Sequence, residues 1–137
     1  MEVLRILKGD EMCPDELRYN EEHTWLLIEG TRKGRVGITH YAQEQLKDVV
    51  FIELPEVGAE VVHMEPFGVI ESVKATNDLF SPVSGVVIKV NDMLKDDPGI
   101  VNQDPYGQGW MIVVELTNPA ELGSLMSAEA YGALVEK

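Results

Sequence analysis

Two alternating apolar runs flank a single lysine, and that stretch constrains the fold more than any other part of the chain. Phe67, Val69 and Val73 recur on one face at period two before a polar turn, and Val86, Ile88 and Val90 do so after it. Such alternation marks strands half-buried on one side. Between the runs, Thr76, Asn77 and Asp78 supply turn-forming side chains, and Ser81-Pro82 biases the backbone away from helix. The segment reads as two strands joined by a turn with Lys74 near its tip. Val73 and Ala75 beside it are too short to shield the amine. An unshielded amine on a rigid turn is what attachment of a covalent group requires.

The rest of the chain is also strand-rich. Trp25 to Glu29 is a candidate strand, closed by Gly30 and the basic loop Thr31-Arg32-Lys33-Gly34-Arg35. Val49 to Leu54 is β-rich with Ile52 and Leu54 on one face, and Pro55 ends it. Val57-Gly58 reads as a turn, Val61-Val62 as a short strand, and Trp110, Ile112, Val114 and Leu116 as one face of a late strand. Thr39 is placed to cap a short helix through Leu46, with Ala42 and Leu46 on its inner side. Asn118-Pro119 reads as a cap followed by proline at the first helical position, opening a terminal helical region through about Glu136. Its Leu122, Leu125, Met126 and Leu134 are assigned to packing. Many short strands with few helices give a mainly β fold, a small sandwich or flattened barrel.

A chain of 137 residues fits one domain that buries roughly two-thirds of its unfolded surface. No linker, low-complexity segment or long-period repeat divides it. Acidic residues number 24 against 11 basic, a net charge of −13. That balance argues against nucleic-acid binding, which depends on basic contacts to phosphates, and favours partners with basic faces. The sole cysteine, Cys13, excludes an internal disulfide and fits a reducing compartment. Asp10, Glu11, Asp15 and Glu16 around it disfavour a thiolate. His23, His40 and His63 lack metal-ligand spacing, and no membrane-length apolar run is present. The segment from Val3 to Lys8 is too short and interrupted for a signal peptide. Asp96-Asp97-Pro98 and Asn102-Gln103-Asp104 read as acidic loops without a calcium-loop pattern, and Asp104 to Trp110 as a turn entering a strand. No nucleophile–base pair, Walker loop or dinucleotide fingerprint appears, so the chain does not read as an enzyme.

Glu71-Ser72-Val73-Lys74-Ala75, followed by Asp78 and Ser81-Pro82-Val83-Ser84-Gly85, resembles the lipoyl-lysine hairpin of glycine cleavage H-proteins. Further similarity lies in Val36-Gly37-Ile38-Thr39, in Tyr41 to Leu46, in Val50 to Gly58, in Asn102 to Trp110 and in Ala128-Glu129-Ala130-Tyr131. It runs from about Leu17 to the C-terminus, leaving residues 1–16 as an N-terminal extension and 17–137 as a single carrier domain. The resemblance implies a barrel-sandwich hybrid of the lipoyl/biotinyl-domain type, with a short internal helix and C-terminal helices. It also implies lipoate bound covalently to Lys74, in the hairpin context of Glu71, Ser72, Val73, Ala75 and Asp78.

The same resemblance implies a shuttle with three clients. A pyridoxal-phosphate glycine decarboxylase loads an aminomethyl group, an aminomethyltransferase passes its carbon to tetrahydrofolate, and dihydrolipoamide dehydrogenase reoxidises the arm. A lipoylating enzyme must act first. A shuttle that docks transiently is expected to be a monomer, and a start unlike a signal peptide places it in a prokaryotic cytoplasm, or in the mitochondrial matrix if the chain is a mature organellar form. Two positions depart from the family pattern. His23-Thr24-Trp25 stands where members read His-Glu-Trp, the glutamate belonging to the cleft that shelters the loaded arm, and His40 stands where Asp or Asn is frequent. Cys13 to Tyr19 is also similar to H-like lipoate-binding proteins of sulfur oxidation, so another client, or a lipoyl relay, stays open. A biotinyl domain is disfavoured because Val73 and Ala75 replace the methionines that flank biotinyl lysines. An unmodified interaction module is the remaining alternative.

Overall fold

The computed structural model describes residues 13–135. Among the described residues, nine strands alternate with four α-helices and one 3-10 segment. In chain order, the strands are β1 (Arg18–Tyr19), β2 (Thr24–Glu29), β3 (Lys33–Ile38), β4 (Val49–Glu53), β5 (Glu60–Val61), β6 (Pro66–Ser72), β7 (Thr76–Phe80), β8 (Gly85–Val90) and β9 (Ile112–Leu116). The helices are α1 (His40–Leu46), α2 (Met93–Asp96), α3 (Ile100–Gln103) and α4 (Ala128–Val135), with 3-10 turns over Pro119–Ser124. Every strand pair is antiparallel. Six strands form one sheet in the order β1-β2-β3-β9-β8-β5, and three form a second in the order β4-β6-β7. The mainly β architecture expected from the sequence is the one observed.

One core fills the space between the sheets. Leu26, Val36, Val87, Ile112, Val114 and Leu116 of the larger sheet join Val49, Ile52, Phe67, Ile70 and Leu79 of the smaller one. Alternation along β2 serves two cores at once. Leu26 enters the main cluster, whereas Trp25 turns to the opposite face and packs with Tyr19, Tyr131, Leu17, Ala128 and Cys13. The Tyr19 and Tyr131 rings stack with centroids 4.6 Å apart, and Trp25 Nε1 donates to the Pro105 carbonyl at 3.1 Å. Cys13 is therefore a small apolar packing group. Of the proposed extension, residues 1–12 lie outside the described residues, as does Glu136 at the expected end of the terminal helix.

Several sequence expectations are corrected. Thr76, Asn77 and Asp78 belong to β7 rather than a turn, and the reversal is confined to Val73–Ala75. The second apolar run is not the partner of the first. β6 pairs with β7, while β8 pairs with β9 in the other sheet. The faces also differ, because bulges interrupt the period. A register shift at Phe67 places Phe67 and Ile70 inward, leaves Val69 half-buried and exposes Val73; on β8 the fully buried residue is Val87 rather than Val86, and a shift at Ile88 returns half-buried Val90 to the core that Val87 enters. Lys33–Gly34–Arg35 extends β3 rather than forming a loop, Trp110 precedes the last strand, and Asp96 and Asn102–Gln103 sit in short helices. The terminal helical region breaks at Leu125, whose extended backbone lets Met126 bridge to Tyr19, and Leu134 is exposed rather than packed.

Thr39 caps α1 as expected, its hydroxyl accepting from the Ala42 N–H at 3.1 Å. Gly68 and Gly85 are required by close approach. A Cβ at Gly68 would meet the Glu53 carbonyl, and one at Gly85 would meet the Glu115 carbonyl. The two glycines therefore let neighbouring strands approach closely, β6 against β4 and β8 against β9.

Candidate functional site

The site is built on the β6–β7 hairpin, whose tip projects from the three-stranded sheet. Ser72 is buried while Val73, Lys74 and Ala75 are exposed. The Ser72 hydroxyl accepts from the Lys74 and Ala75 N–H groups, each at 3.1 Å, and its own N–H donates to the Ala75 carbonyl at 2.8 Å. One side chain thus supplies the acceptor that a three-residue reversal cannot find in its own backbone. The Val73 N–H donates to the Asp48 carbonyl at 3.0 Å, tying the tip to the start of β4. Lys74 is held at its backbone and open at its amine.

The Lys74 Nζ donates to the Gln45 carbonyl at 3.1 Å, in the last turn of α1. Carbonyls at a helix C-terminus lack intrahelical partners and carry partial negative charge, so an ammonium is welcome there. Gln45 also lines a cleft of about 650 Å³ between α1, the hairpin and the start of β2. Its apolar lining comes from Ile38, Ala42, Leu46, Val69, Ile70 and Leu79, and its carboxylates are Glu22 and Asp78. Asp78, paired with Val69 across the hairpin, is exposed and lines the cleft; Glu71, opposite Thr76 and Phe51, is exposed and does not.

A buried polar chain supports the cleft from behind. Tyr131 Oη lies 2.7 Å from His23 Nδ1 and 2.7 Å from Thr39 Oγ1. Burial lowers the His23 pKa from its ordinary 6.5, against an opposing pull from Glu22, so the ring is neutral at neutral pH. Burial likewise raises Tyr131 far above 10.0, with the Thr39 hydrogen bond working the other way. The arrangement that pairs every hydroxyl proton has Thr39 donating to Tyr131 and Tyr131 donating to His23 Nδ1. His23, which lines the cleft, is fixed by α4 through this chain.

Residues 17–137 match the family model described as glycine cleavage H-protein. The chain belongs to that family. It is 53% identical over 124 residues to the glycine cleavage system H protein of Symbiobacterium thermophilum, covering 90% of this chain and 96% of that one. It is 50% identical over 124 residues to the protein of the same name from Bacillus subtilis, covering 90% and 97%. The crystal structure of a glycine cleavage system H protein from Mycobacterium marinum superposes with a TM-score of 0.82 at 37% identity, covering 90% of this chain and 99% of that one. The fold is accordingly the lipoyl-domain-like barrel-sandwich of a carrier family.

The two departures from the family pattern fall in different places. Thr24 lines the cleft but is buried, its hydroxyl donating to the Phe80 carbonyl at 3.0 Å, so it presents no free charge there. The carboxylate nearest to it in sequence among the lining residues is Glu22. His40 is not a lining residue. It opens α1, its N–H donates to the Tyr106 hydroxyl at 2.9 Å, and its Nε2 lies 3.3 Å from Glu44. Sequence reasoning missed Gln45 as the partner of Lys74 and missed the capping role of Ser72. A serine two residues before an exposed lysine is the signal for the second; no local signal marks the first. Among the described residues no group of His, Cys, Asp and Glu is arranged to hold a metal ion, and no helix is long and apolar enough to cross a membrane.

Proposed function

We propose that Lys74 is the lipoyl attachment residue and that this chain is the lipoyl carrier of a glycine cleavage system. The observation that carries the reading is an exposed lysine on a hydrogen-bonded tip, its amine bound to a residue that lines a partly apolar cleft, in a chain of this family. The residues fit the group. A flexible hydrocarbon arm ending in a dithiolane is apolar over most of its length, and Ala42, Leu46, Ile70 and Leu79 offer it apolar surface beside the attachment point. When bound, lipoate supplies a disulfide able to accept an electron pair and a sulfur able to hold a one-carbon fragment.

The chain's own residues present, orient and shelter. Attachment forms an amide between Lys74 Nζ and an activated acyl carbon. The activating group leaves and the nitrogen loses its excess protons, so the ammonium charge disappears. Ser72 holds the tip in one conformation, Val73 and Ala75 leave the amine unshielded, and Glu71 with Asp78 offer carboxylates to the modifying enzyme. Within the cleft, Glu22 and Asp78 place negative charge where a cationic amine is to be sheltered, and neutral His23 adds none of the opposite sign. The carrier performs no catalysis of its own. Its clients on this reading are glycine decarboxylase with its pyridoxal phosphate, aminomethyltransferase with tetrahydrofolate, and dihydrolipoamide dehydrogenase. It acts as a monomer in a bacterial cytoplasm, through the carrier domain of residues 17–137.

The test is carbon dioxide released from glycine by a matched glycine decarboxylase, with the lipoylated protein as acceptor. Release is expected with the wild type and not with Lys74→Ala. A fully lipoylated wild type that supports no release would sink the glycine-cleavage assignment and point to another client, with Thr24 the first position to question.

A further inference from the structure

Three exposed apolar side chains lie at and beside the tip of the lysine hairpin, and two of them, Val50 and Phe51, have no part in the lysine-bearing site as described. Val50 is 51% exposed, Phe51 49% and Val73 68%. They are neighbours through the sheet. Val49 pairs with Ser72, Phe51 pairs with Glu71, and the Val73 N–H is bound to the Asp48 carbonyl. A register shift between Val49 and Phe51 makes Val50 an unpaired bulge residue. Strict alternation would bury one of two consecutive residues; the bulge leaves both Val50 and Phe51 facing water, at the expense of ladder pairing. A half-exposed phenylalanine gathered with two valines beside a functional tip is the kind of patch that marks an interaction site. Carboxylates rim it, with Asp48, Glu53 and Glu71 all exposed.

We propose that Val50, Phe51 and Val73, within this acidic rim, form the docking face for the enzyme that attaches the acyl group to Lys74. The proposal rests on the reading that Lys74 is modified. Reach selects this occupant. A client works at the end of a long arm and can stay clear of the hairpin. The attaching enzyme must bring an activated acyl carbon to Nζ itself, so its surface closes on the tip and on whatever lies beside it. Charge describes that surface further. A partner facing Asp48, Glu53 and Glu71 on a chain of net charge −13 presents basic residues around an apolar pocket for Phe51.

The experiment measures initial rates of lipoylation of the unmodified protein by a lipoate–protein ligase with ATP and lipoate. The Val50→Ser/Phe51→Ser double variant is expected to raise KM and lower kcat/KM about tenfold or more, as loss of a buried aromatic anchor does. Val73→Thr, which keeps shape and adds polarity, is expected to move the same way by a smaller factor. Val57→Ser, at an exposed valine in the turn outside the β4–β6 pairing, is expected to match the wild type. The double variant and Val57→Ser, once fully lipoylated, are expected to be reduced by dihydrolipoamide dehydrogenase and NADH at the wild-type rate.

Unchanged kcat/KM, within about twofold, in both the double variant and Val73→Thr would overturn the docking face and leave the lysine assignment standing. An equal loss in the dehydrogenase reaction would overturn the choice of occupant. Wild-type protein that a ligase active on another carrier leaves unmodified would overturn the reading of Lys74 and this inference with it. Hydrogen exchange at Lys74 and Ala75 guards against a distorted tip.

Discussion

Replacing Ser72 by alanine isolates what holds the lysine tip. The hydroxyl accepts two backbone N–H groups at 3.1 Å and makes a longer contact, as donor, to the Ala75 carbonyl at 3.3 Å. A typical intramolecular hydrogen bond is worth about 0.5–1.5 kcal/mol net. Because Lys74 and Ala75 are exposed, water can reach the freed groups, which places the loss of both accepted bonds at about 1–2 kcal/mol rather than at the higher figure for stranded buried donors. That corresponds to a shift of roughly 5–30-fold in the equilibrium between closed and open tip. Native-state hydrogen exchange reads it directly. The Lys74 and Ala75 amides are expected to exchange faster by that factor in Ser72→Ala, while amides of β9 follow only the change in global stability. Ser72→Thr, which retains the oxygen, should recover most of the protection. Wild-type exchange at Lys74 and Ala75 in the alanine variant would refute the idea that this hydroxyl orders the tip.

Tyr131→Phe strips the shared partner from Thr39 and His23; an expected loss of about 1–3 kcal/mol is measured by urea unfolding. Gly68→Ala sets a methyl against the Glu53 carbonyl and should lower stability by about 1–3 kcal/mol, seen as a lower urea midpoint. Alkaline titration tests the second core. Tyr19, Tyr106 and Tyr131 all have pKa values raised above 10.0 by burial, so their share of stability is fully present below pH 10 and is lost as pH rises towards the folded values. Tyrosinate absorbance should therefore appear together with unfolding rather than before it. His23 acts at the other end, because its lowered pKa makes stability complete above 6.5 and eroded as pH falls below it. In Tyr131→Phe the acid limb of the pH–stability profile should shift.

The elements most legible in the sequence were those whose determinants are local. Thr39 and the Ala42–Leu46 spacing specified α1, and the run from Ile112 to Leu116 specified β9. Family membership was legible for a different reason, since the residue pattern around Lys74 is specific to one family. What was lost were features set by pairing between distant segments. The bulge at Phe67 shifts the period by one residue, so alternation counted along the chain grouped Val69 with Phe67; on β8 it chose the face of Val86 over that of Val87, while the bulge at Ile88 returned Val90 to the core. The same device in β4 concealed the exposure of Val50, which alternation groups with buried Ile52. Thr76-Asn77-Asp78 carried turn chemistry, yet pairing with Val69, Ile70 and Glu71 overrode it and moved the reversal onto Lys74. The contact from Lys74 to Gln45 spans two elements that no local pattern connects.

The central claim is that Lys74 carries the acyl arm. Peptide mass mapping of the protein after reaction with lipoate, ATP and a lipoate–protein ligase tests it most directly. One lipoyl group on the peptide containing Lys74, absent from Lys74→Ala, is the predicted result. A lipoyl group on any other lysine, or none under a ligase that loads another carrier, would contradict it.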